Sequence, residues 1–282
     1  MFQTAPARAM LLSLAAASLG APAASAFDVG LQPTTVEMDA EPGTRQRQVV
    51  TITNSDSDAP ISLTIGLADW TLSRDGQIRL SPPGERAESA SDWTRFGPSY
   101  MTLQPGETQY IIVDIITPAK LERTGDYRFA LLASTIQPDT RAGQSDMLRK
   151  YQIASLFYLT PDKASSQPLV RDVRLSYDEA GKASLSLMLE NTGNAHARLE
   201  GQVIIEGRRE RVDIPISNLV VLEGSEREFR VPVTGGLPAD AKVTVNFENI
   251  FAPQSETGRL PVKTYSAPLS VTGASRQSAS IQ

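Results

Sequence analysis

Two β-sandwiches in tandem are what this 282-residue chain is patterned for. The first sign is strict alternation. Ile61, Leu63, Ile65 and Leu67 lie between Ser62, Thr64, Gly66 and Ala68, which is the period of a strand with one buried face. The second sign is a phrase written twice. Val50-Thr51-Ile52-Thr53-Asn54, then Ile61 to Leu67, then Leu103-Gln104-Pro105-Gly106-Glu107 opening Tyr110 to Ile116, forms the first copy. Leu185 to Asn191-Thr192-Gly193-Asn194, then Gly201 to Ile205, then Leu222-Glu223-Gly224-Ser225 opening Phe229 to Val233, forms the second. Short strands joined by turns at such spacings build sandwiches. The third sign is the missing rival, since no segment after the N-terminal leader carries a helical signal of comparable strength. Sandwiches of this kind bind or scaffold more often than they catalyse, which directs attention to strand edges and to the cleft between domains.

Residues 1–26 read as a cleaved signal peptide. Arg8 supplies the positive start, Ala9 to Leu19 a short apolar stretch, and Ala24-Ser25-Ala26 the small-x-small cleavage pattern, with Phe27 as the mature start. That run is too short to cross a bilayer, and no later segment reaches the roughly 18 apolar residues a membrane helix needs, so no membrane anchor is expected. Removing the leader leaves 256 of the 282 residues, enough for two domains that each bury a core. The absence of cysteine excludes disulfide stapling, thiol chemistry and a lipoprotein anchor, and together with export it fits the periplasm. A net charge of −5 with no basic stripe would repel a phosphate backbone, so nucleic acid is not an expected partner.

The first domain is placed at 27–161. Asp28 to Met38 reads as an opening strand interrupted at Pro33, which suits an edge or a sheet-switching kink. Glu41-Pro42-Gly43 is a turn, Gln48, Val50 and Ile52 alternate along the next strand, and Ser73 to Gly76 is the hairpin loop between Trp70 and Ile78. Ser81 to Asp92 is a polar loop. Tyr110 to Ile116 is so continuously apolar that neither face is expected to be fully wet. Tyr127 to Ile136 and Lys150 to Leu159 close the domain around the polar loop Gln137 to Asp146. A polar linker at 162–168 leads to the second domain, 169–272, with strands expected from Val170, Ala183, Gly201, Arg211, Arg227, Val243 and Tyr265 onward. Arg208 to Arg211 is a solvated hairpin tip, and the Ser/Gln-rich tail 273–282 is expected to be disordered.

Residues with chemistry to offer are few. His196 is the sole histidine, so a histidine-based metal site has no ligands; it follows Asn194-Ala195 in an expected loop, where a solvated side chain is anticipated. No Gly-x-Ser-x-Gly context accompanies it, and no spacing singles out a carboxylate pair, so the chain reads as a non-enzyme without cofactor or metal. Asp56-Ser57-Asp58 reads as turn chemistry, not as the start of a calcium loop. Trp70 and Trp93 read as core residues, and 6 % aromatic content with no cluster gives little to a carbohydrate platform.

The first domain resembles the N-terminal domain of the periplasmic pilus-assembly chaperones of the chaperone–usher system. Val29 to Val36, Val50 to Asn54, Leu80-Ser81-Pro82-Pro83, Leu103 to Gln109, and Leu156-Phe157-Tyr158 with Pro161 at the exit carry the resemblance, in the family's order. It implies two immunoglobulin-like β-sandwiches that cap unfinished pilin-like subunits, with an outer-membrane usher as the implied second partner. The chaperone lends the last strand of its first domain to a subunit lacking one of its own, a mode of β-augmentation. By that resemblance the donor strand here is Met147, Tyr151, Ile153, Ser155 and Phe157. The family grips the subunit's terminal carboxylate with an Arg and a Lys; Thr35 and Ser155 stand at those positions, and Lys150 or Arg149 are the nearby cations. Arg149 and Ser155 also interrupt the apolar series, and a core strand facing its own sandwich would read the same way. The rival reading is an exported structural or adhesion protein that donates no strand.

Overall fold

The computed structural model describes residues 28–138, 148–177, 182–233, 241–251, 260, 263–266 and 271–272. The leader, Met147, most of the loop before it, and the tail 273–282 fall outside the described residues.

Strands, numbered in chain order, form four sheets that pack in pairs. The first sheet holds β1 (Val29–Gln32), β3 (Arg45–Asn54), β8 (Thr108–Ile116) and β6 (Thr94–Gly97), in that spatial order. Facing it are β2 (Thr35–Asp39), β10 (Leu148–Thr160), β9 (Tyr127–Pro138), β4 (Ile61–Leu72) and β5 (Ile78–Ser81), with β7 (Tyr100–Leu103) also on β4. Inward-facing Leu31, Ile52, Leu63, Ile111, Ile115, Phe129, Leu131 and Phe157 fill the space between. Phe129 and Phe157 stack with ring centroids 4.4 Å apart.

The second sandwich sets β15 (Ser225–Pro232), β12 (Ala183–Asn191), β11 (Pro168–Tyr177) and β18 (Val271–Thr272) against β14 (Arg211–Val221), β13 (Ala197–Glu206), β16 (Lys242–Asn249) and β17 (Lys263–Ser266). Leu185, Leu187, Leu199, Val203, Val243 and Phe247 form its core. Both units are immunoglobulin-like, as the alternation predicts: antiparallel neighbours except for the parallel pairs β2–β10 and β11–β18, strands exchanged between two facing sheets, and inward residues at every second position.

The doubled phrase has a physical basis. Asn54 and Asn191 end equivalent strands, and each is buried. Asn54 Oδ1 accepts the Asp56 N–H at 3.1 Å, while its Nδ2 donates to the carbonyls of Ala59 at 2.9 Å and Leu103 at 3.4 Å. Asn191 Oδ1 accepts the Gly193 N–H at 3.1 Å, and its Nδ2 donates to Ala195 at 2.8 Å and Val221 at 3.1 Å. The Gly-centred turns close the same circuit, Gly106 N–H donating to Asp56 O and Gly224 N–H to Gly193 O, each at 3.2 Å. One amide thus pins a strand end, its loop and the distant turn. A buried backbone group left unpaired costs about 1–3 kcal/mol. Asn191→Ala should therefore lower the stability of the second sandwich by at least that much, read as a shift in the urea midpoint with an unchanged slope.

Pro33 behaves as anticipated. Lacking an N–H, it cannot continue a ladder, and the chain passes there from β1 in one sheet to β2 in the other. The same happens at Pro98 between β6 and β7, and both X–Pro bonds are cis. Asp56 is turn chemistry, its carboxylate accepting the Asp58 N–H at 2.7 Å. One reading is corrected. Tyr110, Ile112 and Ile116 are exposed, while Ile111, Val113 and Ile115 are buried, because nothing described covers the outer face of the first sheet. Trp70 is a core residue as read, in the cluster buried between the two sandwiches.

Candidate functional site: an open rim beside the domain junction

β10 is sealed on one side by β9 along its whole length, Leu148 opposite Pro138 through Leu159 opposite Tyr127. On the other side it is sealed only over its second half, where β2 runs parallel with Thr35 opposite Leu156 and Asp39 opposite Thr160. From Leu148 to Ser155 no described strand pairs with that side. The Leu156 N–H points outward, donating to Thr34 O at 2.9 Å. By strand alternation the backbone groups of Ala154, Gln152, Lys150 and Leu148 point outward too. They form a rim of donors and acceptors. The cause is the switch at Pro33: counting back from Thr35, β1 runs level with the rim but belongs to the facing sheet, which leaves a lateral seam.

The sequence-predicted residues fall on this strand unequally. Phe157 is buried in the core, and Ile153 packs against that core while partly exposed. Tyr151 lies one inward position further along, partly exposed, on the stretch where the rim is open. Met147 is outside the described residues. Ser155 is fully buried, and its hydroxyl donates to Pro33 O at 2.6 Å. Its role is to peg the sheet switch, so it has no hydroxyl proton left for a carboxylate. Thr35 flanks Leu156 at the base of the rim. Lys150 is exposed and stands five residues from Ser155, about 17 Å along a strand, so Thr35 and Lys150 do not make one site. On the outer face, Lys150, Gln152, Ser134, Ile136, Ser62 and Thr64 border an open groove of about 590 Å³.

Below that groove the second sandwich covers the same sheet. Ala68, Trp70, Ala130, Leu132 and Tyr158 pack with Val220 and Leu222, and Ala154 and Leu156 lie against them. The groove is therefore the uncovered half of a face whose other half is the domain junction. The charges that line the junction were not legible in the sequence, since they come from separate elements of both sandwiches. Arg128 reaches Glu223 Oε2 at 2.6 Å and Glu88 Oε1 at 2.7 Å, and its guanidinium lies 5.6 Å from the Trp70 ring. The backbone adds a tie, Glu228 N–H to Arg74 O at 2.7 Å. Gly76 takes φ +83°, a left-handed conformation that favours glycine.

His196 overturns the expectation of a solvated loop residue. It is fully buried, with Nδ1 2.6 Å from Asp126 Oδ2, because the first sandwich covers the start of β13. Asp126 also accepts the His196 backbone N–H at 2.7 Å and the Thr160 hydroxyl at 2.9 Å. Among the described residues no helix is long and apolar enough to cross a membrane, and no cluster of three or more His, Asp or Glu side chains is placed to hold a metal.

No protein-family profile matches the chain. No curated protein sequence matches it either. Solved structures of pilus and fimbrial chaperones are similar to it over most of its length. The YadV chaperone is 13 % identical with a TM-score of 0.45, over 85 % of this chain and 99 % of the other. A complex of Salmonella enterica SafA pilin with the SafB chaperone gives 16 % and 0.42, over 86 % and 97 %. The CupB2 chaperone of Pseudomonas aeruginosa gives 11 % and 0.39, over 84 % and 98 %.

Proposed function

We propose that this chain is a non-enzymatic periplasmic chaperone for pilin-like subunits of a pilus or other surface fibre, acting by donor-strand complementation. On this reading 1–26 is the leader, 27–161 and 169–272 are the working modules, and 162–168 links them. The observation that carries the proposal is the half-sealed strand: β2 pairs with β10 from Leu156 onward, and from Leu148 to Ser155 no described strand pairs with that side. An incoming strand would continue the line of β2, take the outward backbone groups of Lys150, Gln152 and Ala154, and meet Tyr151 and Ile153 in the seam. Each backbone bond contributes about 0.5–1.5 kcal/mol net, and burying a large apolar side chain adds about 1.5–3 kcal/mol. An outer-membrane usher is the second partner the reading entails.

Proline tests it directly. On an edge whose N–H faces away from the sheet, Pro is tolerated by the fold but blocks strand addition. Co-expression with a pilin-like subunit that lacks its final strand should yield a soluble one-to-one complex. Gln152→Pro should weaken that complex about tenfold or more with little change in melting temperature, and Gln152→Ala should retain it. A complex that survives Gln152→Pro undiminished removes strand donation by this rim. One observation favours the rival reading, an exported structural or adhesion module: with Ser155 spent on Pro33, no Arg/Lys pair grips a terminal carboxylate. A chain that binds no such subunit at all would decide for that rival.

A further inference from the structure

His196 sits where the two sandwiches meet, its ring between Tyr158 of the first and Phe251 of the second, with centroids 4.2 and 4.0 Å away. Two carboxylates of the first sandwich face its two nitrogens: Asp126 Oδ2 lies 2.6 Å from Nδ1 and Glu37 Oε1 3.4 Å from Nε2. Among the described residues, the other charged or titratable groups around it are Tyr158 on β10, whose phenol burial pushes up so that it stays neutral, and Arg198 on β13. Arg198 donates from Nε to Glu37 Oε1 at 2.7 Å. Asp39 and Asp162 line the adjoining groove with Glu37. An imidazolium donates from both nitrogens, whereas a neutral ring donates from one. If the neutral ring keeps Nδ1–H on Asp126, its Nε2 lone pair faces a carboxylate that can only accept.

We propose that His196 is a pH-operated clasp between the sandwiches, closed while its ring donates to both Asp126 and Glu37 and loosened when the Nε2 proton leaves. The clasp concerns the domain angle and stands whether or not the rim accepts a strand. Burial opposes the charged ring, but the hydrogen bonds and charges of Asp126 and Glu37 more than offset it, and the His196 pKa lies above its ordinary value. A raised histidine stabilises fully below its unfolded value, about 6.5, and that contribution is lost as pH rises through the higher folded value. Glu37 is lowered, chiefly by its hydrogen bond to His196, so its share is present above 4.5 and fades as pH falls through the lower folded value. The clasp is therefore closed in mildly acidic solution and opens on the alkaline side.

With no native cysteine, spin labels can be placed unambiguously at Ser57→Cys on one sandwich and Glu210→Cys on the other. The inter-label distance distribution should be narrow near about pH 5.5 and shift or broaden by about pH 9. Its midpoint should coincide with the NMR titration of the single imidazole. His196→Gln, which does not titrate, should abolish the pH dependence. Should that variant fail to fold, Glu37→Gln supplies a second reading, because losing one carboxylate should move the ring's titration midpoint down. An unchanged distribution while the ring titrates overturns the proposal. So does a ring that never titrates in this range, a pH-dependent shift that persists in His196→Gln, or an unmoved midpoint in Glu37→Gln.

Discussion

Arg128→Ala should cost about 3–5 kcal/mol of stability, the range for breaking a buried ion pair by deleting one partner. The guanidinium is only 4 % exposed, and it holds Glu88 on its own sandwich and Glu223 on the other. Deletion leaves two carboxylates, themselves 12 % and 10 % exposed, with Arg86 still on Glu88 at 2.5 Å and Arg123 3.8 and 3.7 Å from Glu88 and Glu223. Trp70 also loses the cation lying over its ring. The loss should be visible in form as well as size. Calorimetry should show one transition splitting into two, since Arg128 bridges the sandwiches. Replacing Arg128 and Glu223 together with Met should be less damaging than Arg128→Ala, because no unmatched charge is then left at that contact. A cost below about 1 kcal/mol would mean that Arg86 and Arg123 satisfy the two carboxylates and that the junction does not depend on Arg128.

Much of the architecture was legible because strand burial has a period of two and the turns carry their own chemistry. Asn54 and Asn191 could be matched as a repeated phrase before their hydrogen bonds were visible, since only an amide can accept from the loop and donate to two carbonyls at once. Pro33 announced the sheet switch through its missing N–H. Tyr110 to Ile116 misled because an apolar run does not say whether a second layer covers it; here Tyr110, Ile112 and Ile116 face outward and are exposed.

The candidate site was legible only in part. That β10 carries an apolar parity is local information, but whether its far edge is sealed depends on β2, more than a hundred residues earlier. Ser155 looked like a lapse in that parity. It is the residue that fixes Pro33, and so decides where the sealed half ends. His196, Asp126 and Glu37 are far apart in sequence and meet through the domain junction, so the loop position after Asn194-Ala195 made the sole histidine look solvated. Arg128 and Glu223 were hidden for the same reason. Pairing between domains leaves no spacing to read.

Phe157→Ala should cost about 3–5 kcal/mol, the range for truncating a fully buried aromatic. Phe157 has no exposed surface and stacks on Phe129 within the first core, so it belongs to the sealed half of β10. Tyr151 shares its parity but lies where the rim is open and is only partly buried, so Tyr151→Ala should cost well under half as much. The two variants separate stability from recognition on a single strand. Phe157→Ala should impair partner binding only in proportion to the unfolded fraction, and stabilising conditions should restore it. Tyr151→Ala should weaken the complex while the melting temperature stays close to that of the parent chain. If Tyr151→Ala instead destabilised the first sandwich as severely as Phe157→Ala, the seam would be an ordinary part of the core, and the half-sealed strand would have nothing left to offer a partner.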